Sequence, residues 1–161
     1  MEQFQTLAVA AHQAFKTADH LAYITYPVVH EKKLLIVVLQ NIHLCLSKAL
    51  EALLNYHAYH KEISYVPHDF ESRVHLFRST LLKKYRLDPS FIDFFLEIAE
   101  IMRHHQTSSI EFVRKDTFIM ASENFRLKTI TIEKVKSYLS QTKVFLETVN
   151  GALAHYDRRF S

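Results

Sequence analysis

Glycine is almost absent from this chain: Gly151 stands alone among 161 residues, where average usage of roughly 7% predicts about eleven. Three prolines, one cysteine and no tryptophan complete the short side of the composition. Dinucleotide fingerprints, phosphate-binding loops, the nucleophile elbow and the standard calcium loop all need glycine where backbone turns sharply or approaches a ligand. None of them is present in its usual form. Cys45 by itself allows no internal disulfide and no cysteine-built zinc site. The most apolar window, residues 34–46, is interrupted by Gln40, Asn41 and His43 and falls short of the ~20 apolar residues that span a bilayer. Residues 1–6 lack the basic start and apolar run of a secretory signal. The expectation is a cytoplasmic protein with no membrane role and no cofactor.

What is present is an ordinary globular composition, 48% hydrophobic and 23% charged, in a chain the size of one domain. Residues 1–161 are read as a single helical-bundle domain. The net charge of +3 is too small to drive nucleic-acid binding by itself. Its distribution is uneven: between residues 73 and 86, Arg73, Arg78, Lys83, Lys84 and Arg86 occur with no acid among them.

Apolar spacing of three and four predicts most of the helices. Phe4, Leu7, Ala8, Ala11, Phe15, Ala18 and Ala22 make one helical face from Glu2 to about Tyr26, where Pro27 ends it. A second helix from about Glu31 to Tyr59 turns Leu35, Val38, Ile42, Leu46, Ala49, Leu53 and Tyr56 inward. Asp69 caps a third helix carrying Phe70, Val74, Phe77, Leu81 and Tyr85. Asp88-Pro89 restarts the chain for a fourth, on Phe91, Phe94, Phe95, Ile98 and Met102, fraying near His105. Residues 106–131 lose the helical period. There, residues 118–120 face residues 125–129 across the polar break 121–124, which suits a small hairpin. Thr131 caps a fifth helix on Ile132, Val135, Leu139, Leu146 and Val149, with Asn150-Gly151 as a plausible stop. The fold class is mainly α: about five helices with one short β-hairpin before the last.

Four groups of polar residues carry candidate chemistry. His57 and His60 share the end of helix two while His104 and His105 end helix four; imidazoles with Glu62 or Asp69 could clamp a divalent ion. No His-Glu-x-x-His or Glu-x-x-His spacing occurs, however, and no metal is assigned. His68-Asp69 resembles the dyad of the helical HD phosphohydrolases, but helix capping by Asp69 accounts for it. The segment Arg103 to Asp116 gathers Arg103, His104, His105 and Arg114, with Ser108, Ser109, Glu111 and Lys115. Imidazole moves protons near neutral pH and the guanidiniums hold phosphate, so a phosphodiester or nucleotide site is one reading and a solvated connection the other. The fourth group is the basic stretch Arg73, Arg78, Lys83, Lys84 and Arg86, which offers phosphate contacts to RNA or a ribosome surface.

Leu46-Ser47-Lys48-Ala49-Leu50-Glu51-Ala52-Leu53-Leu54, two-faced and rich in small residues, resembles the second helix of HEPN domains, small helical bundles that commonly dimerise. The resemblance covers helices one and two and the order of the bundle, and it implies a homodimer. HEPN ribonucleases carry an Arg followed by four to six residues and then His; no Arg here has that spacing, and Arg103-His104-His105 has the residue types in another arrangement. The stretches Thr17-Ala18-Asp19-His20, Thr25-Tyr26-Pro27, residues 111–116 and residues 124–126 are also similar to a group of small archaeal helical proteins. The expectation that follows is a non-catalytic binding or assembly module, homodimeric through the apolar faces of helices two and five. The alternatives are a HEPN-like ribonuclease or nucleotide-acting enzyme using Arg103, His104, His105 and Arg114, and an RNA-binding protein.

Overall fold

The computed structural model describes residues 1–107, 110–114, 117–121 and 127–160. Helix α1 (Gln3–His20) passes through a π-helical turn (Leu21–Thr25) into α2 (Tyr26–Val29); α3 (Leu34–Tyr59), α4 (Phe70–Thr80) and α5 (Ser90–Thr107) follow. Strands β1 (Ile110–Arg114), β2 (Thr117–Ala121) and β3 (Leu127–Ile130) lead to the last helix, α6 (Ile132–Phe160). Counting α1 to α2 as one rod, these are five helical rods and a small sheet, the mainly α class that apolar spacing predicts.

Helix α3 is the axis. Thirteen of its 26 residues are buried, on every side but one, and α1, α4, α5 and α6 all pack on it. By length and composition alone α3 could cross a membrane, with a mean hydropathy of 1.4. Here half of that apolar window is buried in the bundle, as befits the core helix of a folded domain, while Val37 and Leu44 stay exposed. The small residues of α1, Ala11, Ala14, Ala18 and Ala22, are buried and let its backbone approach the Cys45, Ala49 and Ala52 side of α3. The two-faced segment 46–54 therefore finds its close neighbours within the same chain. On the opposite flank, Phe77, Phe95 and Phe145 from α4, α5 and α6 are fully buried and meet edge-on or tilted, with ring centroids 4.8–6.1 Å apart. Such pairs add about 0.5–1.5 kcal/mol each beyond area burial.

Pro27 does not end the first rod. A proline has no N–H and its ring crowds the carbonyl four residues back. The turn just before it is widened, with the Tyr26 N–H bonded to the Leu21 carbonyl five residues back. Helical geometry resumes and closes at His30, in the left-handed region at φ 53°. Gly151 is no stop either: it lies inside α6. The caps at the starts of α4, α5 and α6 are those the sequence predicts. Asp69 accepts from the Ser72 amide at 2.9 Å, Asp88 from the Ser90 amide at 2.8 Å, and the Thr131 hydroxyl from the Lys134 amide at 3.2 Å.

The predicted hairpin gains a third strand. β2 pairs antiparallel with β3 (Phe118 opposite Ile130, Met120 opposite Lys128) and with β1 on its other edge (Phe118 opposite Val113, Met120 opposite Glu111). As the central strand, β2 buries Phe118, Ile119 and Met120 in succession, which requires cover on both faces. The expected turn at 122–124 and the strand positions Phe125 and Arg126 lie outside the described residues. Two polar contacts hold the sheet along α5: the ion pair of Lys128 with Glu100 at 3.3 Å and the hydrogen bond between His105 and Glu111 at 2.5 Å.

With glycine absent, two helix ends are closed by other residues in its usual place. After α3, the Lys61 amide bonds to Ala58 and the Glu62 amide to His57; after α4, the Arg86 amide bonds to Lys83 and the Leu87 amide to Leu82. Both are Schellman closures, whose turning residue is ordinarily glycine. Lys61 (φ 60°) and Arg86 (φ 54°) take that role, at about 1–2 kcal/mol each for a side chain in left-handed backbone. Lys61→Gly and Arg86→Gly are each expected to raise stability by about 0.5–1 kcal/mol, after the greater freedom of glycine in the unfolded chain. Gly151→Ala should do the same from the opposite cause, since Gly151 is helical and nothing lies within 4 Å of where its Cβ would stand. Urea unfolding of the three single variants checks this.

Candidate functional site

The densest polar constellation joins the two Schellman ends. His57 is the last buried residue of α3, 1% exposed. Its Nδ1 lies 2.6 Å from Glu62 Oε2 and its Nε2 lies 2.6 Å from the Tyr85 hydroxyl. An ionised carboxylate only accepts, so Nδ1–H donates to Glu62 and Nε2 accepts from the Tyr85 O–H. Lys84 donates to the same carboxylate oxygen at 2.8 Å. The closure after α3 brings its third-last position, His57, beside the residue past the turn, Glu62; the closure after α4 carries Lys84 and Tyr85. A cavity of about 360 Å³ opens beside them, lined also by Tyr56, Ala152 and His155.

Electrostatics decide what this cluster does. Burial holds the His57 imidazole below its ordinary pKa in spite of Glu62, which pulls the other way. The bonds from Lys84 and His57 hold the Glu62 carboxyl below the usual carboxylate range, and burial pushes the Tyr85 phenol up. Passing the Tyr85 proton to His57 already spans about 3.5 pKa units between ordinary values, about 5 kcal/mol, and both shifts widen the gap. The arrangement is a neutral hydrogen-bonded lock between helix ends, not a proton relay.

The residues that sequence reasoning put forward are dispersed. Arg103 is exposed on α5 and paired to Glu71 of α4 at 2.5 Å. His105 is bonded to Glu111. Arg103 and His105 border two adjacent depressions that share His43, Met102 and Gln106. His104 lines neither of these; both its ring nitrogens are out of contact with solvent and have no partner among the described residues. Arg114 is exposed at the far end of β1, opposite Thr117, about 13 Å of strand beyond Ile110. Ser108, Ser109, Lys115 and Asp116 lie outside the described residues. The 103–116 segment thus does not gather its guanidiniums and imidazoles into one cleft.

The basic stretch is divided as well. Arg73 faces inward, 8% exposed: its Nε donates to the Pro67 carbonyl at 2.7 Å and its guanidinium meets Glu51 at 3.4 Å, pinning the 60–69 loop to α3. Lys84 belongs to the lock. Arg78, Lys83 and Arg86 remain exposed, near a helix C-terminal end, where the macrodipole favours cations without a ligand.

For metal, His57 spends both nitrogens in the lock and His60 is ringed by Tyr56, Tyr59 and Tyr156 at 4.6–6.2 Å. Among the described residues, no three His, Cys, Asp or Glu side chains are grouped to hold an ion. His68 is exposed and Asp69 is the cap of α4.

No protein-family model matches the chain, and no curated protein or solved structure matches it either. Its chemistry has to be argued from its own side chains.

Removing the phenol oxygen in Tyr85→Phe leaves the buried Nε2 of His57 without a donor, and should cost about 1–3 kcal/mol by urea unfolding. A pH dependence follows from His57 and His43, both held below the ordinary imidazole value by burial. In the unfolded chain they protonate near pH 6.5; the fold keeps them neutral to lower pH. Below about 6.5 the unfolded state binds more protons, so stability is full above that pH and declines as pH falls toward the folded values. The slope is at most about 1.4 kcal/mol per pH unit for each imidazole. His43→Gln should shrink this acid limb and leave stability near pH 8 little altered.

Proposed function

We infer that the chain is a non-catalytic helical assembly module that works as a homodimer. One observation carries this reading: acid–base groups are paired within the chain while apolar side chains stay open to water, several of them along the first rod. His57, Glu62, Arg73, Arg103 and His105 all have partners in their own chain. Against that, Val9 is 49% exposed, Tyr23, Ile24, Val28 and Val29, farther along the same rod, are 45%, 58%, 79% and 56% exposed, and Val37, Leu44 and Val144 on α3 and α6 are 38%, 45% and 47% exposed. Apolar clusters of this kind mark interaction surfaces. The resemblance of residues 46–54 to the HEPN second helix, from a family whose bundles commonly dimerise, supports the same reading.

Helices α3 and α6 turn most of their apolar side chains to the core but leave Val37, Leu44 and Val144 exposed, and the first rod exposes Val9, Tyr23, Ile24, Val28 and Val29. The ribonuclease alternative loses support from the dispersal of Arg103, His104, His105 and Arg114. The RNA alternative is left with Arg78, Lys83 and Arg86.

Sedimentation velocity at micromolar concentration is expected to give a species of twice the 18.9 kDa chain mass. A monodisperse monomer would reject the assembly reading.

A further inference from the structure

Two adjoining cavities, of about 420 and 290 Å³, run between α1 and α6 and share Ala8, Val9 and Asn150. Together they form a groove reaching from Met1 to Lys16 on the α1 side, roughly 24 Å at the rise of a helix. Its lining is Met1, Ala8, Val9, Leu153 and Ala154, with Gln5, His12, Gln13 and Asn150. The helices are antiparallel, since Gln5 near the start of α1 donates to Asp157 near the end of α6 at 2.7 Å. The groove's lysine and aspartate sit at opposite ends, Lys16 at one, with His12 a turn before it, and Asp157 at the other. Beside it, Gly151 is exposed and leaves the space around its Cα open, while Met1 and Val9 are 92% and 49% exposed.

We propose that this groove is the dimer interface, occupied by the same groove of a second copy turned about a two-fold axis. The inference rests on the assembly reading and names its surface. A two-fold axis through the middle of the groove sets the copies antiparallel and lays Lys16 of each chain against Asp157 of the other. One self-complementary patch thus makes two opposite-charge contacts, as an isologous interface requires, and a parallel arrangement would set like charges together. The uncharged middle supplies the desolvated centre, with the charges at the rim fixing orientation. Of the exposed apolar residues on the first rod, Val9 lines both cavities and sits in this contact.

The full-length chain tests this by sedimentation equilibrium, with circular dichroism to confirm that each variant is folded. Lys16→Asp and Asp157→Lys should each weaken the dimer by several-fold to tenfold, and the double swap should return it to within about twofold of the starting affinity. Val9→Glu should weaken it at least tenfold and Val113→Glu, at an exposed position on β1, should not. A folded dimer insensitive to Val9→Glu, or single swaps with no rescue in the double, overturns the groove while leaving the assembly reading intact. A monomeric starting protein overturns both.

Discussion

The structure depends on one greasy cylinder. A helix of 26 residues with thirteen of them buried cannot stand alone at a surface, so α3 dictates that other elements pack around it. The rest of the chain meets that demand by two means. The first rod supplies alanines, whose small size lets backbones come close over a long contact. Helices α4, α5 and α6 supply phenylalanines, which fill the wider gap left where helices splay. The trio Phe77, Phe95 and Phe145 is where those three helices meet.

Poverty in glycine shapes everything that is not helix. A chain with no glycine at its helix ends has to turn with residues that resist left-handed backbone, and His30, Lys61 and Arg86 do so. Two of these turns, after α3 and α4, are tied to each other through His57, Glu62, Lys84 and Tyr85. Each bond in the lock is worth only about 0.5–1.5 kcal/mol net, or somewhat more where charge is involved. Their sum is nonetheless of the same order as the strain of two left-handed side chains. A polar cluster that resembles catalytic machinery by composition is thereby explained by backbone geometry.

Much of this was legible in the sequence. Spacing at three and four located the helices, and Asp69, Asp88 and Thr131 marked their starts, because capping is local chemistry that a few residues determine. Pro27 misled, since the widened turn that absorbs it depends on packing along the whole rod and leaves no local signal. Strand β1 was hidden because Ile110 to Arg114 alternates poorly; its place is set by backbone pairing to the free edge of β2, which side-chain patterning does not announce. The lock was only half visible. His57 and Glu62 stood out as titratable residues near a helix end, but their approach depends on a Schellman closure that glycine usually announces and Lys61 conceals. Tyr85, 28 residues away from His57 in sequence, is brought in by tertiary packing.

The same contrast bears on function. Catalysis needs groups whose hydrogen-bonding capacity is held open for a substrate, with acid and base poised near the working pH. In this chain the imidazoles and guanidiniums that sequence put forward are largely turned to holding helices, loop and sheet together: Arg73 anchors a loop, His105 ties α5 to β1, Arg103 joins α5 to α4, and His57 secures two helix ends. Apolar residues along the first rod show the reverse pattern. They are exposed although the bundle already has a complete core without them, so their burial is free to drive association. Water penalises exposed aliphatic groups at about 25 cal/mol per Å², whereas a surface ion pair returns at most about 1 kcal/mol. Association between copies would therefore take its strength from the apolar middle of an interface and its direction from the charges at the ends.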